Sequence, residues 1–333
     1  MTSGTRRHPV GLVLGSDTAP EKLPAMARAA EELGYSELWF AEDCFFIGGI
    51  SGATATLAAT TDIPIGLGIL SAVVRHPAIL AMELATLARM YPGRLMPGIG
   101  VGVPDWMRQI GRFPKSALAA LRECVTTTRQ LLAGEELTLK GDLFSFDHVR
   151  LTHVPDRPLP IYMGVVGPKN LQLSGEIADG TVISVLAGPD YVRWLRERVR
   201  EGAARSGRSA EKHRVACYVL CSVDADRQRA RDDVRPIVAF YLAAMGRCAL
   251  TDVPAYSDHL EKLIAKGGLQ TVTEEMPDEW LDELAVAGTP AECAEKIRRY
   301  LQAGADSVVI WPAPAARTEA IVNSVARDVF PRL

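Results

Sequence analysis

Two adjacent carboxylates, Glu42 and Asp43, close the apolar run Glu37-Leu38-Trp39-Phe40-Ala41 and are followed by Cys44-Phe45-Phe46. A carboxylate at a strand end beside apolar bulk is a candidate proton donor or acceptor, and Phe45 and Phe46 are candidate walls for an organic substrate. A second segment, Leu67 to Pro77, takes an apolar strand through a short loop to a helix-starting proline. Gly68 ahead of Ile69 removes a side chain where the backbone can come up against a flat ring. A third, Gly98-Ile99-Gly100-Val101-Gly102-Val103-Pro104-Asp105-Trp106, alternates glycines along a strand end, which permits close approach of a ligand and adds Trp106 to the substrate candidates. It is no dinucleotide fingerprint, because the helix it should open is expected only from about residue 115. In the fourth, Gly164-Val165-Val166-Gly167-Pro168-Lys169-Asn170, the amides of a helix start suit a phosphate, the glycines admit it and Lys169 adds charge. Each segment also has a plainer reading as an ordinary strand-to-helix connection.

Apolar runs that read as strands fall at about 10–15, 37–42, 65–69, 94–100, 160–163, 181–184, 213–222 and 306–310. Stretches of helical periodicity separate them, ended by signals such as Gly34 and Gly304. Eight strands alternating with helices predict an α/β chain folded as a closed (β/α)8 TIM barrel, one domain over 1–333 with insertions at about 134–158 and 224–287. The first insertion reads as a small β excursion and the second as mainly helical. A doubly wound open sheet is the alternative, but Gly15-Ser16-Asp17-Thr18 lacks the glycine-rich turn such sheets place after their first strand. In a barrel the chemistry lies at the carboxyl ends of the strands, where all four segments fall.

The net charge of -3, from 37 basic and 40 acidic residues, gives no reason to bind nucleic acid or an anionic membrane, so a small molecule is the expected partner. Six scattered cysteines show no zinc or redox spacing, and there is no paired-histidine, Walker or Ser-His-Asp arrangement. Residues 1–10 lack the apolar stretch of a signal peptide and no run is long enough to span a bilayer, so a cytoplasmic protein with reduced thiols is expected. His76 reads as a helix-start cap rather than a catalytic group.

The order and spacing of Glu37 to Asp43, Leu67-Gly68-Ile69 with Arg75-His76-Pro77, Gly98 to Gly102, Pro160 to Gly164 with Gly167-Pro168, Ala178-Asp179-Gly180, Gly288-Thr289-Pro290 and Ala303 to Asp306 resemble the luciferase-like monooxygenase superfamily. Within it they are most similar to the branch that uses the deazaflavin coenzyme F420, of the methylenetetrahydromethanopterin reductase-like kind. The resemblance implies a luciferase-like barrel with a non-prolyl cis peptide at Gly68-Ile69, forming with Leu70 and Ser71 the support of an isoalloxazine-type ring. Gly100 and Gly102 would flank that ring, Gly164, Val165, Val166, Gly167, Pro168 and Lys169 would hold a phosphate, and Glu42 would lie near the reacting ring. Val103 stands where relatives with sugar-phosphate activity carry a glutamate, and Asp43 stands where many carry a histidine, so acid-base work falls to Glu42, Asp43 or Asp105. The implied activity is hydride transfer between F420 and an organic small molecule, in a homodimer. The alternatives are an FMN-dependent monooxygenase using reduced flavin and oxygen, and a cofactor-binding protein without turnover.

Overall fold

Strands buried on both faces have no polar side to show, which is why those of this chain read as near-continuous apolar runs. The computed structural model describes residues 8–333, so residues 1–7 of the expected leaderless N-terminus lie outside the described residues. Its strands are β1 Val10–Leu14, β2 Leu38–Phe40, β3 Ile65–Ser71, β4 Leu95–Gly100, β5 Leu137–Lys140, β6 Ser145–Val149, β7 Tyr162–Gly164, β8 Gly180–Ile183, β9 Arg214–Val223, β10 Ala285–Gly288 and β11 Ser307–Pro312. The order β1-β2-β3-β4-β7-β8-β9-β11 closes back on β1 with every neighbour parallel. That is the expected eight-stranded barrel with helices around it.

The excursion after residue 134 is an antiparallel hairpin of β5 and β6, separate from the barrel. It is held to the outer flank, where the His76 ring meets Phe144 and Phe146 at centroid distances of 5.3 and 4.9 Å and Glu123 accepts from the Phe144 N–H at 2.8 Å. His76 also accepts from the Ala78 N–H through Nδ1, which makes it the helix-start cap read from the sequence. The second insertion contributes helices Arg227–Met245, Ala249–Asp252, Ser257–Glu275 and Asp278–Leu284. The mainly helical reading of 224–287 is corrected at its end, where β10 pairs in parallel with the last turnward residues of β9, Leu220 to Val223. Four small residues carry too little periodicity to betray a strand that exists only because an edge of β9 is left open there.

Large and small residues complement each other inside the barrel. The Trp39 ring lies 5.4 Å from Tyr162 and 6.0 Å from Tyr218, both edge-on. The opposing strands make room with glycines: a methyl group at Gly66 would lie 2.3 Å from the Trp39 ring, and one at Gly180 would lie 2.4 Å from Tyr162. Below this layer Glu37, 2% exposed, accepts from Trp39 Nε1 at 2.8 Å and from Arg214 at 3.2 Å. Buried thiols are inert here, with Cys124 and Cys293 pushed up to about 12 by burial.

At the amino end of the barrel, His213 is buried and bonded through Nε2 to Thr181 Oγ1 at 2.8 Å. Burial, and then the Arg196 charge, lower its pKa from 6.5 to about 4. The unfolded chain therefore takes up a proton near pH 6.5 that the native protein refuses until about pH 4. Stability is undiminished above that upper limit and falls by ~3 kcal/mol as the pH drops through the window. Urea midpoints of the parent and His213→Gln should converge between pH 7.5 and 4.5. A constant gap between them would exclude His213 as the source of acid sensitivity.

Candidate active site

Glycine spacing at the ends of β3, β4 and β7 builds a floor. The β3 and β4 register slips between Leu67 and Leu70, and the Gly68-Ile69 peptide is cis, as the resemblance implied. The slip turns the Ile69 side chain over the glycines of the neighbouring strands. A methyl at Gly164 would lie 2.2 Å from Ile69 Cγ2, and one at Gly100 would lie 2.9 Å from the Ile69 side chain. Gly100 and Gly164 thus seat Ile69, and the partly exposed Ile69 is an apolar surface at the mouth. Gly68 is likewise small for an internal reason, since a methyl there would sit 2.1 Å from the Tyr218 hydroxyl.

Three further residues of this region have structural ties of their own. Leu70 is fully buried and packs beside the start of helix Gly49–Ala59. Val165 is also buried. Ser71 Oγ donates to Val101 O at 2.8 Å, which commits its one proton to tying β3 to the loop after β4. That loop turns at Gly102, φ +93°, above Met107. It then enters a short helix, Pro104–Gln109, which the sequence reading did not include and which Pro104 suits as a first turn, ahead of the helix expected from about residue 115 and found at Ala117–Leu132.

On the far side of the floor, Gly167 adopts φ +82° and precedes helix Pro168–Ile177. A side chain at Gly167 would meet nothing within 4 Å. The first-turn amides of Lys169 and Asn170 have no partner within the helix, and Lys169 is exposed beside them. Open space, amides and a cation together suit an anionic group.

The two carboxylates after β2 part company. Both Glu42 oxygens are taken by Arg75 at 2.6 and 2.7 Å, and Oε2 also accepts the Gly49 N–H at 2.6 Å. A bidentate pair of this kind, only 12% and 21% exposed, fixes the loop after β2 against the loop after β3, and with the Gly49 bond it occupies three of the carboxylate's four lone-pair positions. Asp43 accepts from Ser16 Oγ at 2.7 Å through Oδ2, and Oδ1 has no partner among the described residues. Burial first, and then these two carboxylates, push the Cys44 thiol up. The Arg75 partnership escaped the sequence reading, although a glutamate ending one strand and an arginine leaving the next is its signal once those strands are known to be neighbours.

Phe45 and Phe46 stand 66% and 59% exposed on the rim, after a second non-prolyl cis bond at Cys44-Phe45 that the sequence did not announce. The Phe46 ring lies 6.5 Å from Trp106. Val103 is exposed on the same rim, and Asp105 is paired with Arg108 at 2.6 Å in solvent, away from the floor. Among the described residues no cluster of side chains could hold a metal ion.

A closed parallel barrel whose mouth carries an apolar platform, an amide-rich helix start and a carboxylate is the layout of a barrel enzyme that positions a sizeable organic ligand. The chain belongs to the luciferase-like monooxygenase family, whose sequence pattern matches residues 5–307. It is 28% identical over 330 residues to the 5,10-methylenetetrahydromethanopterin reductase of Archaeoglobus fulgidus, covering 97% of this chain and 99% of that protein. It is 30% identical to the F420-dependent glucose-6-phosphate dehydrogenase of Nakamurella multipartita, covering 94% and 93% of the two chains. The solved coenzyme F420 dependent tetrahydromethanopterin reductase from Methanopyrus kandleri aligns with a TM-score of 0.83 at 25% identity, over 97% of this chain and 98% of that one.

Proposed function

We propose that this protein is an F420-dependent oxidoreductase that moves a hydride between the deazaflavin and an organic small molecule. One observation carries the reading: full-length relatives named for different substrates share F420 in their names, so the cofactor is what the common fold serves. The mouth fits such a group. Ile69, seated on Gly100 and Gly164, offers an apolar support for a planar ring, and Gly167 with the amides of Lys169 and Asn170 offers a phosphate cradle. F420, when bound, supplies the hydride chemistry. The chain's own residues orient and enclose: the Glu42–Arg75 pair holds the rim loops, Phe45, Phe46 and Trp106 present apolar surface to the substrate, and Asp43 accepts or returns a proton at Oδ1. Gly102 sets the turn that brings Trp106 to the rim.

No described helix is long and apolar enough to cross a membrane. The reading places the protein in the cytoplasm, without a nucleic-acid partner. It also takes the protein as a homodimer, which exposed Ile79, Met82 and Met90 on helix Pro77–Met90 support.

Titration of the purified protein with F420 and with FMN, followed by fluorescence and thermal shift, tests the cofactor assignment. Saturable binding of F420, tighter than that of FMN, is expected. Tight FMN binding without affinity for F420 would overturn it in favour of the flavin monooxygenase alternative.

A further inference from the structure

A second feature of the mouth lies away from the Ile69 floor. Between the carboxyl ends of β1 and β11 and the inner face of helix Arg227–Met245 is a cavity of about 180 Å³. Its walls include the apolar Met26, Leu220 and Ile237, and its polar side chains are Asp17, Thr18, Tyr241, Thr318 and the indole of Trp311. The Asp17 carboxylate and the Trp311 N–H converge: a methyl at Gly15 would lie 2.7 Å from Asp17 Oδ1 and 3.5 Å from Trp311 Nε1. Gly15 keeps that point clear. Burial, followed by the charges of Asp43 and Asp17, raises the pKa of the Tyr241 phenol, so both carboxylates act on one corner of the cavity.

The balance of charge is one-sided. Among the described residues no lysine, arginine or histidine lines the cavity. Arg317, between the lining residues Ala315 and Thr318, has its guanidinium committed to Asp233 and to Asp224 at 2.8 Å. Asp17, unlike Glu42, therefore faces the cavity with no cationic partner among the described residues. A carboxylate that shares its cavity with two aromatic side chains attracts a cation through its charge and favours an organic one through the rings. An anion would meet the repulsion of the Asp17 carboxylate, with no basic side chain to offset it.

We infer that this cavity is a substrate subsite that takes a compact organic nitrogen cation, such as an amidinium, held by the Asp17 carboxylate beside Tyr241 and Trp311. The inference rests on the reading of the mouth as an oxidoreductase site and adds the chemistry of the substrate's head group. Ser16, next to Asp17, donates to Asp43, so the chain links the subsite directly to the carboxylate assigned to proton transfer. A substrate anchored here by its cationic end reaches toward the Ile69 floor with its other end.

Calorimetric titration of the protein without F420 tests the subsite separately from the cofactor. Benzamidine is the probe, with neutral benzamide and anionic benzoate as its near-isosteric controls. Benzamidine should bind saturably and at least about tenfold more tightly than benzamide, benzoate should not bind, and added salt should weaken the benzamidine complex. Asp17→Asn should bring benzamidine down to the level of benzamide while keeping the parent melting temperature, because Asp17 is exposed and supports no packing. Equal binding of benzamidine and benzamide, no binding of either, or benzamidine binding that survives Asp17→Asn would overturn the assignment. F420 titration of the same variant separates the two readings. Unchanged F420 affinity is expected, a parallel loss of it would move Asp17 into the cofactor site, and failure of the parent to bind F420 would sink the proposed function while leaving the benzamidine result to stand on its own.

Discussion

Asp43→Asn is expected to lower kcat by about 100-fold or more, with melting temperature and F420 affinity staying near those of the parent. Asparagine keeps an oxygen to accept from Ser16 Oγ, so the 2.7 Å contact and the loop it holds survive. What disappears is the charge and the proton-accepting capacity of Oδ1, the oxygen without a partner among the described residues. The comparison with Glu42 makes the test specific. Glu42→Gln cannot reproduce the bidentate pair with Arg75, leaves a partly buried guanidinium with only Glu83 at 3.5 Å, and should cost about 2 kcal/mol of stability. Its loss of turnover should follow disorder of the rim, appearing in KM as well as kcat. Progress curves read from F420 absorbance, with a substrate that the loaded enzyme turns over, give both constants. An Asp43→Asn enzyme with the parent kcat would remove Asp43 from the chemistry, and a Glu42→Gln enzyme with a parent-like melting point would undo the positioning role given to that residue.

Gly202→Ala is expected to destabilise the protein by about 3 kcal/mol or more, against the ordinary gain of ~0.5–1 kcal/mol for replacing a helical glycine by alanine. The reason is a close helix crossing. Gly202 in helix Pro189–Ser206 faces helix Pro168–Ile177, and a methyl there would lie 1.8 Å from the Gln172 carbonyl oxygen. Gly175 meets the same crossing from the other side, where a methyl would lie 2.1 Å from Val199 O. Both obstacles are backbone, which cannot swing aside as a side-chain tip can. The helices must separate, and helix Pro168–Ile177 opens with Gly167 and the amides assigned to the phosphate. The urea midpoint should fall with an unchanged slope, and F420 affinity should weaken with it. A midpoint at or above that of the parent would show that the crossing has slack.

Much of the barrel was legible because its signals are local. Ile65 to Leu70 and Val215 to Leu220 are apolar on both faces, as strands between a packed interior and a helical layer must be. Gly34, Gly207 and Gly304 close helices, while Thr289 with Glu292 opens one through a capping box. The site was legible more coarsely. The four segments do meet at one mouth, but the ties among them carry no local signal: Gly100 and Gly164 seat Ile69, Ser71 bonds to Val101, and Glu42 clamps Arg75.

The amino-acid sequence alone determined the alternation of strand and helix, the class of barrel and the end of it at which the chemistry sits, since burial pattern, capping and chain direction are properties of neighbouring residues. Tertiary structure decided which side chain fills the space each glycine vacates, which carboxylate is neutralised and which stays free, and that Asp17 and Trp311 share a cavity nearly 300 positions apart in the chain. Those pairings depend on strand register and on closure of β11 against β1. A shift of one residue in either would exchange interior for exterior along a whole strand while leaving every local pattern intact.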